Sequence, residues 1–212
     1  MAQSIQRRMT EEEFFGFILD RDEKWELVEG QPVMMAGASQ RHQEVAANTL
    51  TSLRSKLRGG SCRPTAADTG VSSPGGSVRY PDVVVDCGPR NDKSMLATTP
   101  TVVIEVLSPS TRSFAAHRKL IEYKSNPAIK CILLIDTNEA CIILHRRDHE
   151  KWIEIVYSCI ADIVHLSEIG ADVSLQEVYE GLEFKPKLTI AITCENCRQT
   201  PCICGEASAF VP

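Results

Sequence analysis

The chain has 212 residues, of which 43% are hydrophobic and 24% charged, and a formal net charge of −5 at pH 7. This length suits one globular domain with a full core and room for a small appendage. The acidic balance argues against a protein that grips nucleic acid over its whole surface, although it allows a local basic face beside an acidic site. No apolar run approaches a membrane span, and residues 1–8 are polar and basic, so the cytoplasm is the expected compartment and no membrane partner is expected.

The first half of the chain predicts two helices, a hairpin and further strands. Thr10 and Glu13 have the spacing of a capping box for a short helix. Ser39 is a cap for a second helix over residues 41–57, whose buried face is expected to hold Ala46, Leu50, Leu53 and Leu57. Strands are predicted at residues 25–28, 32–35, 61–66 and 68–72.

The second helix and its exit form the most basic stretch of the chain. Its cations are Arg41, Arg54, Lys56, Arg58 and Arg63. Such a run fits either a solvated helix face or a patch that faces phosphate groups.

The second half predicts a strand-helix-strand unit followed by more strands. Strands are predicted at residues 79–86, 101–107, 131–136, 140–145, 152–157 and 163–166, with helices at 113–125 and 174–179. The unit from residue 101 to residue 136 should be a right-handed parallel crossover. The order of elements predicts an α/β or α+β fold, in which a central mixed sheet has helices beside it.

Two of these apolar strands carry an acid, Asp82 at the front of one and Glu105 inside the other. A buried carboxylate is costly unless a cation or a metal ion compensates it, so two on neighbouring strands suggest a shared partner. Mg²⁺ prefers one or two carboxylates and bridges to phosphate, and the Val106 carbonyl could add a third protein ligand. Lys119, on the following helix, could supply the cation that phosphodiester hydrolysis needs. The alternative is an Asp in a turn and a Glu paired with an Arg.

A longer set of motifs resembles a known bacterial family. It comprises Tyr80-Pro81-Asp82, then Val103-Ile104-Glu105-Val106-Leu107-Ser108-Pro109-Ser110-Thr111-Arg112, then Lys119 with Tyr123. These residues are similar to the signature of the Uma-two family of endonucleases, a branch of the restriction-endonuclease-like PD-(D/E)XK superfamily. Further similarity, from Met9-Thr10-Glu11 to Gly181-Leu182-Glu183-Phe184, extends the resemblance over residues 9–185.

The resemblance implies a restriction-endonuclease-like mixed sheet flanked by helices, a nuclease site that uses Mg²⁺ (or Mn²⁺), DNA as the partner, and a homodimer. By position, Asp82 and Glu105 would be the metal ligands and Lys119 the catalytic lysine. The superfamily usually has that lysine two residues after the second acid, where this chain has Leu107. His42 matches a histidine typical of the family, and it would either face the site or lie on the helix surface.

One departure from the family motivates a second hypothesis. The family commonly has Asp four residues before the helix lysine, and that position is Ala115 here. The sequence therefore predicts a Mg²⁺-dependent DNA endonuclease, with a catalytically inactive nucleic-acid-binding or interaction protein on the same fold as the alternative.

The nine cysteines fall into two groups. In a cytosolic protein Cys62, Cys87, Cys131, Cys141 and Cys159 should be mostly free thiols in strand-like segments. The others crowd into a Cys-rich tail, residues 189–212, which follows a nuclease domain expected at residues 1–188. Four thiolates can form a tetrahedral Zn²⁺ site, but the spacing between the pairs is shorter than in a zinc ribbon or finger, so a flexible tail is equally open. The candidate ligands are Cys194, Cys197, Cys202 and Cys204.

Overall fold

The computed structural model describes residues 7–107 and 114–184, apart from the side chains of residues 114–116. Its elements in chain order are α1 Glu11–Ile18, β1 Trp25–Val28, β2 Gln31–Met34, α2 Gln40–Lys56, β3 Arg63–Ala66, β4 Val71–Ser73, β5 Ser77–Arg79, β6 Val83–Asp86, β7 Pro100–Leu107, α3 Phe114–Ser125, β8 Cys131–Asp136, β9 Ile142–Asp148, β10 Lys151–Tyr157, β11 Ile163–Leu166, β12 Ala171–Ser174 and α4 Leu175–Val178.

The largest sheet is mixed and has the strand order β10-β9-β8-β7-β6-β3. Only β7 and β8 pair in parallel, with α3 between them in sequence, and the other neighbours are antiparallel. Both parallel strands are almost continuous apolar runs, as expected of strands that are covered on both faces. The predicted mixed sheet with helices beside it and the predicted parallel crossover are therefore confirmed.

A smaller antiparallel sheet with the order β2-β1-β5-β4 lies beside the large one. Helix α1 begins with the predicted capping box, in which the Thr10 hydroxyl accepts from Glu13 N and the Glu13 carboxylate accepts from Thr10 N. The helix packs Phe14, which is fully buried, against Leu27 and Val78 of this sheet. Burying a phenylalanine side chain stabilises a fold by about 1.5–3 kcal/mol, so α1 holds the small sheet together.

The predicted strand over residues 79–86 is wrong, because the run divides between the two sheets. Arg79 ends β5 in the small sheet, and Val83 begins β6 in the large one. Pro81 lies between them, and a proline lacks the N–H that a ladder hydrogen bond requires. The chain changes sheets here, and Asp82 consequently lies at the junction of the two sheets.

Helix α2 has the predicted Ser39 cap, but its buried face is rotated from the prediction. Leu53 and Leu57 are buried as expected, whereas Ala46 and Leu50 are only partly covered. Polar residues take their place, because the hydroxyl of Thr49 donates to Val45 O at 2.7 Å and that of Ser52 donates to Glu177 at 2.8 Å. The same rotation turns His42 inward.

Two of the predicted free thiols form a disulfide, Cys62–Cys87, which joins the start of β3 to the end of β6. The prediction of free thiols is therefore wrong for this pair. It is confirmed for Cys131, which is buried, for Cys141, which is half-buried, and for Cys159, which is exposed.

Some predictions fall on residues that the structure does not describe. Ser108, Ser110 and the proposed zinc ligands Cys194, Cys197, Cys202 and Cys204 lie outside the described residues, as does the side chain of Ala115. Within residues 7–107 and 114–184, no helix is long and apolar enough to cross a membrane.

Candidate active site

The acid pair is brought together by the register of β6 and β7. Val83 is paired with Ile104, so Asp82, which precedes Val83, falls opposite Glu105 in the same antiparallel register. Residues opposite each other in such a pair project to the same face with Cβ atoms about 5 Å apart. The backbone N–H of Val106 donates to Asp82 Oδ2 at 2.8 Å, which ties the acid to the neighbouring strand.

Asp82 has one committed oxygen and one that is available. Its Oδ2 accepts from Val106 N and lies 3.3 Å from His42 Nε2. Its Oδ1 has no hydrogen-bond partner in the part of the chain that the structure describes, and the side chain is 19% exposed. An oxygen in this position is accessible to a ligand.

Glu105 is held from the side of α3. The Tyr123 hydroxyl donates to Glu105 Oε1 at 2.6 Å, and Lys119 Nζ lies 3.3 Å from the same oxygen. Burial raises the pKa of Glu105, and the positive charge of Lys119 acts against that rise. Among the described residues, Glu105 Oε2 has a single long contact of 3.5 Å, to Lys119, so this acid also has one weakly engaged oxygen.

Lys119 is shared between Glu105 and a third acid, Glu26 of β1, which the sequence reasoning missed. Lys119 Nζ lies 2.9 Å from Glu26 Oε1, and the Glu26 side chain is only 8% exposed. Burial lowers the pKa of Lys119, but the charges of Glu105 and Glu26 outweigh burial and raise it overall. The amine is therefore an ammonium ion. An acid within the apolar strand 25–28 is the same signal that identified Glu105, and it could have identified Glu26.

Arg79 and Glu122 extend this cluster, and sequence reasoning missed them too. Arg79 donates to Glu26 Oε2 at 2.9 Å and to both oxygens of Glu122 at 2.5 and 2.8 Å, and its side chain is 6% exposed. Removing one partner of a buried ion pair typically costs about 3–5 kcal/mol. Through these buried ion pairs, Arg79 and Glu122 hold in place Glu26, which is the partner of Lys119.

His42 faces the site, which decides between the two possibilities for this residue. It lies in the first turn of α2, where its backbone N–H donates to the hydroxyl of the capping Ser39 at 3.3 Å, and its side chain is buried. The pKa of His42 is raised by its hydrogen bond with Asp82; burial acts in the opposite direction, and the charge of Asp82 and the Val106 backbone add to the rise.

The basic stretch of α2 does not form one free patch. Arg41 donates to Thr137 O at 2.5 Å, Arg54 to Pro64 O at 3.3 Å, and Arg63 to Gly88 O at 2.7 Å. Lys56 pairs with Glu177. Four of the five cations therefore have partners within the chain, which favours a structural use over a phosphate-facing patch for them, whereas Arg58 is exposed.

The acidic side chains of the site offer oxygen atoms that can be compared with the ligands of a protein-bound metal ion. Within residues 7–107 and 114–184, no group of three or more His, Cys, Asp or Glu side chains forms a metal cage. Asp82 and Glu105 nevertheless each offer an oxygen on one face. The described cluster holds four carboxylates (Glu26, Asp82, Glu105 and Glu122) against the cations Lys119 and Arg79. A site with two carboxylates fits Mg²⁺, which keeps most of its waters.

Comparisons with known proteins identify the family of the chain and a similar fold. Residues 11–190 match the model of the family Uma2, described as "Putative restriction endonuclease". The chain is similar to the "Uncharacterized protein slr1290" of Synechocystis sp., with 31% identity over 180 residues, which are 84% of this chain and 94% of the relative. Its fold is similar to that of "a putative nuclease belonging to DUF820" from Anabaena variabilis, with a TM-score of 0.65 and 18% identity over 80% of this chain and 97% of the other. At that identity the likeness concerns the fold.

Proposed function

The chain belongs to the Uma2 family of putative restriction endonucleases, and from that premise we propose that it is a metal-dependent endonuclease that hydrolyses phosphodiester bonds in DNA. The observation that carries the proposal is the meeting of Asp82, Glu105 and Lys119 at one point. Two carboxylates with available oxygens beside a buried ammonium ion are the groups that phosphodiester hydrolysis requires.

Asp82 and Glu105 would hold a Mg²⁺ or Mn²⁺ ion, with the Val106 carbonyl as a further ligand. When bound, such an ion lowers the pKa of a coordinated water and polarises a phosphoryl oxygen. The contacts of the protein support this use, because Val106 N and His42 orient Asp82 while Tyr123 orients Glu105.

Lys119 would act on the substrate through its charge. Its amine is held within 3.5 Å of Glu105 by contacts on two sides. A fixed cation beside the scissile phosphate stabilises the negative charge that develops in the transition state, and it does so strongly in a site from which water is largely excluded. Glu26 keeps the amine charged and in place. His42 would hold Asp82 in place through the hydrogen bond that raises the pKa of the imidazole.

The test is cleavage of supercoiled plasmid DNA with Mg²⁺ or Mn²⁺. We expect Asp82→Asn, Glu105→Gln and Lys119→Met each to lower the rate by about a hundredfold or more. The matched control is Asp92→Asn, because Asp92 is exposed and its ion pair is with the neighbouring, equally exposed Arg90. Cleavage that survives all three substitutions would contradict the proposed site.

A catalytically inactive nucleic-acid-binding protein is the second candidate, and Ala115 in the position of the family Asp favours it. Wild-type protein that binds DNA with a clear salt dependence, and cleaves none with either metal, would support this candidate over the first.

Three expectations from the sequence stay predictions: a homodimer, a cytoplasmic location and zinc in the tail. Light scattering of the purified protein measures the first. Zinc content of the wild type against a Cys197→Ser/Cys202→Ser variant measures the last, and a zinc content near zero in the wild type would end the idea.

A further inference from the structure

A pocket lies at the tip of the β1–β2 hairpin, on the side covered by α3. Its lining residues are Arg8, Val28, Glu29, Gln31, Val33 and Arg118. None of them has a role in the site described above, and two of them carry a positive charge.

The pocket is lined by residues of β1 and α3, the strand and the helix that also carry Glu26 and Lys119. In the hairpin register Glu26 pairs with Val33 and Val28 pairs with Gln31. Glu26 and Val28 project from the same face of β1 because side chains alternate along a strand, and two residues span about 7 Å. Consecutive residues of α3 contact the two places, since Lys119 pairs with Glu26 while the preceding Arg118 pairs with Glu29.

Arg118 has a partner that is easily replaced. Its guanidinium lies 2.7 Å from Glu29 Oε2 and 3.6 Å from Glu122 Oε1, and the two side chains of the first pair are 37% and 53% exposed. Exposed ion pairs of this kind contribute about 0–1 kcal/mol. A phosphate group, which can accept two parallel hydrogen bonds from a guanidinium, would compete well with Glu29.

Arg8 supplies a second cation that has no hydrogen bond or ion pair among the described residues. The backbone nevertheless holds it in place. Met9 N donates to Gly30 O at 2.8 Å, and a Cβ atom on Gly30 would lie 2.6 Å from Arg8 Cβ. Gly30 has φ +79°, and Glu29, with φ +49°, donates its N–H to the Ser77 hydroxyl at 2.9 Å. The tip is thus built in a defined shape that presents an unpartnered arginine.

We propose that this pocket binds a backbone phosphate of the nucleic acid. This phosphate is the neighbour, on the same nucleic-acid strand, of the phosphate that lies at Asp82 and Glu105. Arg118 and Arg8 are its charged ligands and the amide of Gln31 is a further donor. Glu29 occupies Arg118 in the free protein and gives way to the phosphate. This inference rests on the proposed function, because it assigns the pocket to the same substrate.

The first test measures binding of a short DNA duplex as a function of salt concentration, in an Asp82→Asn background that prevents cleavage. Each of Arg118→Gln and Arg8→Gln is expected to reduce the slope of log K against log salt by about 0.9, the value for one lost phosphate contact. Glu29→Gln removes the competing charge and is expected to tighten binding about threefold to tenfold. Arg90→Gln, an exposed arginine paired with Asp92 outside the pocket, is the control for loss of charge.

The outcomes separate the two proposals. Suppose that the wild type cleaves plasmid, but the slope of log K against log salt is the same for Arg118→Gln and Arg8→Gln as for Arg90→Gln. This result would overturn the phosphate pocket and leave the proposed nuclease function intact. A purely structural role for the Glu29–Arg118 pair predicts that Glu29→Gln lowers the melting temperature without tightening binding, which would also overturn it.

A second test does not depend on nuclease function. Inorganic phosphate is titrated into the full chain while the Nε–Hε NMR signals of the arginines are followed. The signals of Arg8 and Arg118 are expected to shift together, and at lower phosphate concentration in Glu29→Gln. Shifts that are equal for Arg90 and the pocket arginines would contradict the site even if the protein cleaves no DNA.

Discussion

The carboxylate of Glu26 lies 2.9 Å from the amine of Lys119, nearer than the 3.3 Å that separates this amine from Glu105. The lysine on α3 is thereby fixed from two sheets at once, since Glu26 belongs to the small sheet and Glu105 to the large one. Arg79 forms ion pairs with both Glu26 and Glu122 and thereby helps to hold Glu26 in place.

Replacement of Glu26 should affect both the lysine and the fold. Glu26→Gln removes one of the charges that raise the pKa of Lys119, so the pKa of the amine should fall and the basic limb of the pH–rate profile should move to lower pH. A hydrogen bond to a charged group contributes about 1.5–3 kcal/mol, so we expect a rate about 10- to 100-fold lower. The measurement is kcat against pH.

The control for this variant is Glu122→Gln. Glu122 bonds to the same Arg79 but does not contact Lys119, so its loss should destabilise the protein while the basic limb stays in place. Equal shifts of the basic limb in both variants would mean that Glu26 acts only through Arg79.

Mg²⁺ should stabilise the protein against unfolding through Asp82 and Glu105. An ion present at 100 times its dissociation constant adds about 2.7 kcal/mol to the free energy of unfolding, so the melting temperature should rise with Mg²⁺ concentration. Asp82→Asn and Glu105→Gln should abolish the rise. This measurement does not require activity.

Asp86 is the matched control, because it lies at the other end of β6 and its oxygens are fully used. They accept from Gly88 N and Thr99 N, each at 2.8 Å, and from Thr98 N at 3.1 Å. Asp86→Asn should lower the melting temperature but preserve its response to Mg²⁺. A response that disappears in this variant as well would argue against the acid pair as the metal site.

The His42–Asp82 pair should make stability depend on pH. The pKa of His42 is raised above its ordinary 6.5 by the hydrogen bond with Asp82, against the opposing effect of burial. A group whose pKa is higher in the folded state than in the unfolded state stabilises the fold fully at a pH below its pKa in the unfolded state. This stabilisation is lost as the pH rises through its pKa in the folded state.

We expect the difference in the free energy of unfolding between wild type and His42→Gln to be larger at about pH 6 than at about pH 9. Urea unfolding of both proteins at the two pH values measures the difference. A constant difference would show that His42 stabilises the fold by packing alone.

The disulfide Cys62–Cys87 should stabilise the fold, because it closes a loop over a sequence separation of 25. Loop-closure entropy predicts a contribution of about 3.5 kcal/mol. Dithiothreitol should therefore lower the melting temperature of the wild type and leave a Cys62→Ala/Cys87→Ala variant unchanged. Cys159→Ala, which removes an exposed free thiol, should behave like the wild type.

Much of the local structure could be predicted from sequence because it depends on near neighbours. The Thr10 and Ser39 caps are recognised from residues three positions apart. The strand over residues 131–136 and the acids Asp82 and Glu105 stand out because each lies in or beside a short β-branched run. The placement of Lys119 follows from the parallel crossover, since α3 must return along the sheet.

The partnerships within the site could not be predicted in this way. The contact of Glu26 with Arg79 joins β1 to β5 over 53 positions, and its contact with Lys119 joins β1 to α3 over 93 positions. His42 turns inward on the same face of α2 as Thr49 and Ser52, whose hydroxyls donate to Val45 O within the helix and to the distant Glu177. The Cys62–Cys87 bond likewise depends on the pairing of β3 with β6.

The sequence by itself therefore determined the helices and most of the strands, and it singled out Asp82, Glu105 and Lys119 as candidates, because periodicity, capping and the cost of a buried acid are local properties. Only the tertiary structure decided how these residues are supported. The break at Pro81 ends the small-sheet strand at Arg79 and leaves Asp82 at the junction with the large sheet, and Glu26 of the small sheet contacts Lys119 of α3. Such pairings depend on how distant segments pack.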